Sequence, residues 1–265
     1  MSASIKGLVV AALLLIAISS GCKSLADKTA KTESSSTATT SSGKPDDQGI
    51  IHSGTGEQRE PPAAGKANVQ GKVLYNGKPA ANIEVKLCEK FNQYFGGCGG
   101  QIFSTKTDAR GEYLIKNVPP GIYEGLAARV FDTRYYVFAT SGFISSAKYE
   151  LEPNRTFFAP DSSLFKSDLK LLSPKAGVKI AANNIEVKWE SYPDAAYYKF
   201  SINADSSSGA QTNYDYINKR VDGTSYVLEK PLTPGSYQIT VTAYNGNDIK
   251  LAESADDIKF TVSAK

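Results

Sequence analysis

One histidine, one methionine, one tryptophan and three cysteines are all that 265 residues contain of these types, and each scarcity removes a class of chemistry. The sole imidazole, His52, lies in a polar stretch with no rigid element to orient it. That excludes Ser-His-Asp and Cys-His nucleophilic sites and His-ligated metal sites. An excess of one charge is missing as well, since 30 Lys and Arg oppose 27 Asp and Glu. No basic stripe emerges, so the electrostatic footprint of a nucleic-acid binder is absent. The longest apolar run, Leu8–Ile18, has eleven residues, too few for a membrane span that needs about 20. Outside that run no segment holds a 3.6-residue period, which excludes a helical bundle.

What is present starts with Lys6, the apolar run, and the small residues Ser19-Ser20-Gly21 before Cys22. Basic, apolar and small residues in that order form a secretory signal. The segment resembles a bacterial lipobox, which implies cleavage after residue 21 and lipidation of Cys22. Ser19 stands where that pattern usually has Leu, and a soluble secreted protein cut nearby is the other reading. Several acyl chains hold a protein on a membrane where one gives only marginal binding. Lys23, rather than Asp, follows the cysteine. By resemblance to enterobacterial lipoproteins this implies outer-membrane sorting, with the chain facing the periplasm or the surface.

Residues 22–66 are rich in Ser, Thr, Lys, Gly and Asp. Such a composition buries too little apolar area to offset chain entropy, so a disordered tether is expected. Its typical span as a flexible chain is roughly 35–40 Å. From Ala67 the texture changes to short alternating runs broken by turns. Val69, Gly71, Val73 and Tyr75 alternate with Gln70, Lys72 and Leu74, and Asn76-Gly77 then supplies a turn at positive φ. Ile83, Val85 and Leu87 form a half-buried strand pattern. Gly125 interrupts the alternation after Tyr123, so Leu126, Ala128 and Val130 are expected to change faces through a bulge.

Gly71-x-Val73, Gly77-x-Pro79, Val85-x-Leu87, Thr107-Asp108-x-x-Gly111-x-Tyr113 and Val118-Pro119-Pro120-Gly121-x-Tyr123 resemble the carboxypeptidase regulatory-like domain, a transthyretin-like sandwich. The resemblance covers 67–126; a first module is drawn over 67–172, with Asp168–Leu172 closing its sheet. Further on, Ile185, Val187 and Trp189, then Tyr198, Phe200 and Ile202, then Thr233-Pro234-Gly235-Ser236-Tyr237 resemble a fibronectin type III-like domain over 173–265. The turn before Tyr237 is one residue shorter than that family's usual pattern. The expected fold class is therefore all-β: two tandem Ig-like/transthyretin-like β-sandwiches after a signal peptide and a disordered linker.

With Cys22 set aside, Cys88 and Cys98 remain in a compartment that permits disulfides. A bridge between them would staple a hairpin whose tip carries Phe91, Tyr94 and Phe95; two buried free thiols are the other reading. That tip is the candidate ligand platform, weighed against tyrosines merely half buried in a sandwich. Tyr135/Tyr136 and Tyr197/Tyr198 are adjacent pairs that on a strand must each send one ring outward, and Tyr214 and Tyr216 are expected to share a face. Glu150/Glu152 and Glu186/Glu190 could be imagined as acid–base pairs, but Glu186 lies on a polar strand face. Asp256-Asp257 lacks the spaced oxygen ligands of a calcium loop, and Asp108 is explained by its turn. No metal and no cofactor are expected.

Family members of both kinds act mostly as accessory, spacer or interaction domains. The expected function is accordingly a non-enzymatic lipoprotein held to the membrane by an N-terminal lipid anchor. It would display two sandwiches to an unknown protein or polysaccharide partner, and not to nucleic acid. A carbohydrate-binding surface lipoprotein is the alternative, and a carboxylate-dependent hydrolase the third reading.

Overall fold

A computed structural model describes residues 44–92, 97–141, 145–254 and 258–263. Cys22, Tyr94, Phe95, Asp256 and Asp257 lie outside the described residues. The regular structure of the described residues is almost all strand, with two short 3-10 turns at Ser206–Ser208 and Tyr214–Tyr216, and it encloses two separate hydrophobic cores.

The first core lies between two layers. In one, Ala67–Tyr75 pairs antiparallel with Glu112–Val118 and parallel with Thr156–Phe158 and Ser162–Leu164. The other is a four-stranded sheet in the order Gly97–Lys106, Glu84–Asn92, Gly125–Arg129, Tyr136–Phe138. The expected alternation sends Val69, Val73, Val85 and Leu87 inward, all at most 1% exposed. Burying each such side chain contributes about 1.5–3 kcal/mol. The chain does change faces after Tyr123, but by switching sheets rather than through the expected bulge. Gly121–Tyr123 pairs with Lys148–Leu151, whereas Gly125–Arg129 pairs with Glu84–Asn92. Tyr123, Leu126, Ala128 and Val130 all reach the same core despite their opposite parity.

The second core is closed by Leu171–Ser173, Glu186–Trp189 and Ser225–Val227 on one side. Opposite stand Lys219–Val221, Tyr197–Ala204, Gly235–Tyr244, Lys250–Ser254 and Lys259–Val262. This is the strand arrangement of a fibronectin type III-like sandwich. Trp189 is 1% exposed and packs on Tyr198 at 5.4 Å and Phe200 at 6.3 Å. The Tyr237 hydroxyl donates to the Thr233 carbonyl at 2.9 Å, which makes the shortened turn a tyrosine corner.

Two boundaries differ from expectation. The stretch 166–172 does not close the first sandwich. Lys166–Leu169 pairs parallel with Lys250–Ser254, and Leu169 is buried in the second core. The crossing from one sandwich to the other takes a single residue, Phe165, after Ser162–Leu164. Residues 44–66, expected to be tether, are instead packed on the first sandwich. Ile50–Ile51 pairs parallel with Lys148–Leu151, and Ile51 is 1% exposed in the first core. Arg59 bonds Asp108, Gln70 donates to the Glu57 carbonyl, and Lys116 bonds Glu60. Residues 44–66 are thus a strap sewn onto the first sandwich, because one apolar pair and a ladder of polar contacts offset the ordering of a polar chain.

The Asn76-Gly77 turn meets the second sandwich. Asn76 Nδ2 donates to Asp194 at 2.8 Å, and Asn245 Nδ2 donates to Asn76 Oδ1 at 2.7 Å. The Tyr75 and Tyr192 hydroxyls lie 3.4 Å apart.

Candidate binding cleft

The outer face of the four-stranded sheet carries a cleft of about 500 Å³ walled by Phe91, Tyr135, Tyr136 and Phe138, with Lys86 and Arg134 at its edge. Phe91 reaches this face because the register shifts between Cys88 and Lys90. Without that shift Phe91 would sit on the opposite face from Lys86 and Cys88. Gly125 makes room for it, since a Cβ at that position would lie 2.6 Å from Phe91 Cβ. Phe91 then packs on Phe138 with ring centroids 4.7 Å apart.

The Cys88–Cys98 disulfide is present, with Cα atoms 5.3 Å apart. Cys88 is fully buried, and Cys98 lines the cleft beside Phe91, its direct cross-strand partner. The staple thereby fixes the two strands that carry one wall.

Electrostatics organise the opposite wall. Lys86 Nζ donates to the Tyr136 hydroxyl at 2.9 Å, and that hydroxyl donates to Glu84 at 3.0 Å. The hydrogen bond to Tyr136 pushes the Lys86 ammonium up, against the opposing effect of burial. Tyr135 is 49% exposed, and the Arg134 guanidinium lies 5.6 Å from its centroid. Tyr135 precedes the strand Tyr136–Phe138, so both members of this adjacent pair line the cleft.

Of the expected platform, only Phe91 falls among the described residues, and it does line the cleft; Tyr94 and Phe95 fall outside them. Sequence reasoning missed Phe138, Lys86 and Arg134. The signal available was the aromatic-rich piece from Phe131 onward, which lacked a partner until the sheet order brought it beside Glu84–Asn92.

The other candidates fare differently. Tyr214 and Tyr216 do not share a face, because a 3-10 turn leaves Tyr214 84% exposed and Tyr216 2% exposed. Both Tyr197 and Tyr198 are buried. His52 is oriented after all, with Nε2 2.9 Å from an Asp46 carboxylate oxygen, though its side chain is 74% exposed. The backbone amide of Ile50 is the largest influence that lowers the Asp46 carboxyl. Glu150 is exposed, Glu152 pairs with Arg155 at 3.0 Å, and Glu190 pairs with Lys170 at 3.5 Å. A smaller cavity of about 190 Å³ holds Asp161, whose carboxyl burial pushes up, but no second carboxylate lines it. Paired-carboxylate hydrolysis needs two.

No family model matches the sequence, and no curated protein is similar to it. Among solved structures, the chain is similar to a DUF3823 family protein from Bacteroides ovatus at 13% identity, covering 75% of this chain and all of that one, with a TM-score of 0.26. It is similar to fibronectin(III)-like modules of CbhA from Clostridium thermocellum at 16% identity, covering 74% and 90% of the two chains, with a TM-score of 0.27. Similarity to the major pilin subunit of Bacillus cereus is 15%, covering 75% and 69%, with a TM-score of 0.25. Scores this low carry no functional inference, and the fold stands on the chain's own strands and cores.

Proposed function

We propose that this chain is a non-catalytic lipoprotein of the cell envelope, anchored through Cys22 to the outer membrane, whose first sandwich holds a saccharide of an envelope or surface polymer. The observation that supports this most is the open aromatic cleft. A pyranose presents an apolar C–H face and a polar rim, and an exposed ring flanked by hydrogen-bonding side chains complements both. The carboxypeptidase regulatory-like resemblance of the first sandwich fits a presenting rather than a catalytic role. Fold resemblance by itself assigns no activity.

Affinity electrophoresis of the full chain in polysaccharide-containing gels tests the binding half. Tyr135→Ala, at a half-exposed position, should reduce retention roughly tenfold without changing thermal unfolding. Unaltered retention would remove the cleft from the reading. Cys22→Ala, or globomycin treatment, should release the protein from membranes; unchanged fractionation would remove the anchor.

A further inference from the structure

The cleft carries a charge pattern that its aromatic walls do not require. Among the described residues that line it, the charged side chains are both cations, Lys86 and Arg134. Ion pairs around it close on themselves: Lys90 with Glu124 at 3.1 Å, Arg129 with Glu84 at 3.8 Å, and Lys86 with Glu84 at 3.5 Å. Arg134 is left over. Among the described residues its guanidinium forms no ion pair, and its one partner is the Tyr135 ring. A guanidinium is a planar fork of donors that matches a carboxylate bidentately. Held beside an aromatic face, it is placed to meet an acidic group at the rim of a stacked ring. Lys86, held by Tyr136 and paired with Glu84, is the second cation that lines the same cleft.

We propose that the occupant is an acidic saccharide of the uronic-acid type, its apolar face on the aromatic wall and its carboxylate on Arg134, with Lys86 as the supporting cation. This rests on the saccharide reading of the same cleft. A neutral sugar would satisfy the rings and the hydroxyls but leave Arg134 unused.

The test compares retention of the full chain by polygalacturonate, by the same polymer with its carboxylates reduced to hydroxymethyl groups, and by poly-glutamate. Polygalacturonate should bind tightest. Carboxyl reduction should weaken binding about tenfold or more, and Arg134→Gln should remove that preference while Arg134→Lys restores part of it. Equal binding of native and reduced polymer would overturn the acidic specificity and leave the saccharide reading in place. Retention by neither would overturn both. Poly-glutamate binding as well as polygalacturonate would reduce the cleft to a site for charge alone and overturn the proposal, as would retention indifferent to Arg134→Gln.

Discussion

The two sandwiches use the same device at a corner and opposite arrangements on their outer faces. In each, a Pro-Gly-x-Tyr sequence sends a tyrosine hydroxyl back to the carbonyl four residues upstream. Tyr123 donates to Pro119 at 2.9 Å, and Tyr237 to Thr233 at 2.9 Å. On the outer face of the second sandwich, Tyr197 and Tyr244 stack at 5.1 Å, Arg220 lies 3.9 Å over Tyr197, and Lys199 lies 5.0 Å over Tyr244. The Tyr197 hydroxyl is spoken for by Asp248 at 2.7 Å. Tyrosines and cations there have closed on one another. On the first sandwich the same residue types leave Tyr135 half exposed and Arg134 without an ion pair. The same residue types thus close on one another on one face and leave partners unfilled on the other.

The corners give the sharpest way to break the likeness. Gly235 has φ 141°, Gly121 has φ 148°, and a side chain is strained at either. Their surroundings differ: a Cβ at Gly235 would lie 2.6 Å from Ala210 Cβ and 2.8 Å from the Ala210 amide nitrogen, whereas one at Gly121 meets nothing within 4 Å. Gly235→Ala should then cost about 3–4 kcal/mol, strain and overpacking together, and Gly121→Ala about 1–2 kcal/mol. Trp189, the only tryptophan, sits in the second core, so its fluorescence during denaturation follows the Gly235 variant directly. Equal shifts for the two variants would mean that the corners are mechanically alike.

Only the first sandwich is stapled. Closing a loop across the sequence separation of 10 restricts the unfolded chain by about 2.5–3 kcal/mol. Replacing both Cys88 and Cys98 by Ser should lower protection against hydrogen exchange in Glu84–Asn92 and Gly97–Lys106 by that amount, with Tyr197–Ala204 little changed. A matching loss in Tyr197–Ala204 would show that the two cores open as one unit through the Asn76 junction.

Much of this fold was legible because it is local. The alternation at Val85 and Leu87, the Asn76-Gly77 turn, the Pro-Gly-x-Tyr corners and the cysteine pair each lie within a few residues of what they specify. What escaped depends on distant partners. Ile50–Ile51 is one apolar pair in a polar stretch, and the strand that completes it begins at Lys148. Leu169 reads equally well as the end of one sheet or the start of another until Ser254 is found beside it. The cleft needed the register shift after Cys88, which no periodicity announces, to bring Phe91 onto the face of Lys86.

Among the described residues the strap at 44–66 has no counterpart on the second sandwich, and its charge clamp offers a finer test of that asymmetry. Arg59 bonds Asp108 and lies 3.1 Å from Glu112. The Arg59 hydrogen bond is the main reason the Asp108 carboxyl is held down at about 2, aided by the backbone amides of Glu112 and Arg110 and opposed by partial burial. A carboxyl lower in the folded state than in the unfolded chain stabilises at neutral pH, and that contribution disappears as pH falls from about 4 to about 2. Arg59→Ala should raise the Asp108 carboxyl toward its ordinary value and flatten the acid dependence of stability in that window. The loss at neutral pH should stay below about 1 kcal/mol, since the pair is half exposed. Arg110, 3.0 Å from Glu112, and Lys72, 3.6 Å from it, remain to hold the turn. An NMR titration of the Asp108 carboxyl reads the shift. An unmoved Asp108 would show that the backbone amides alone set it, and that the strap is held by Ile51 rather than by charge.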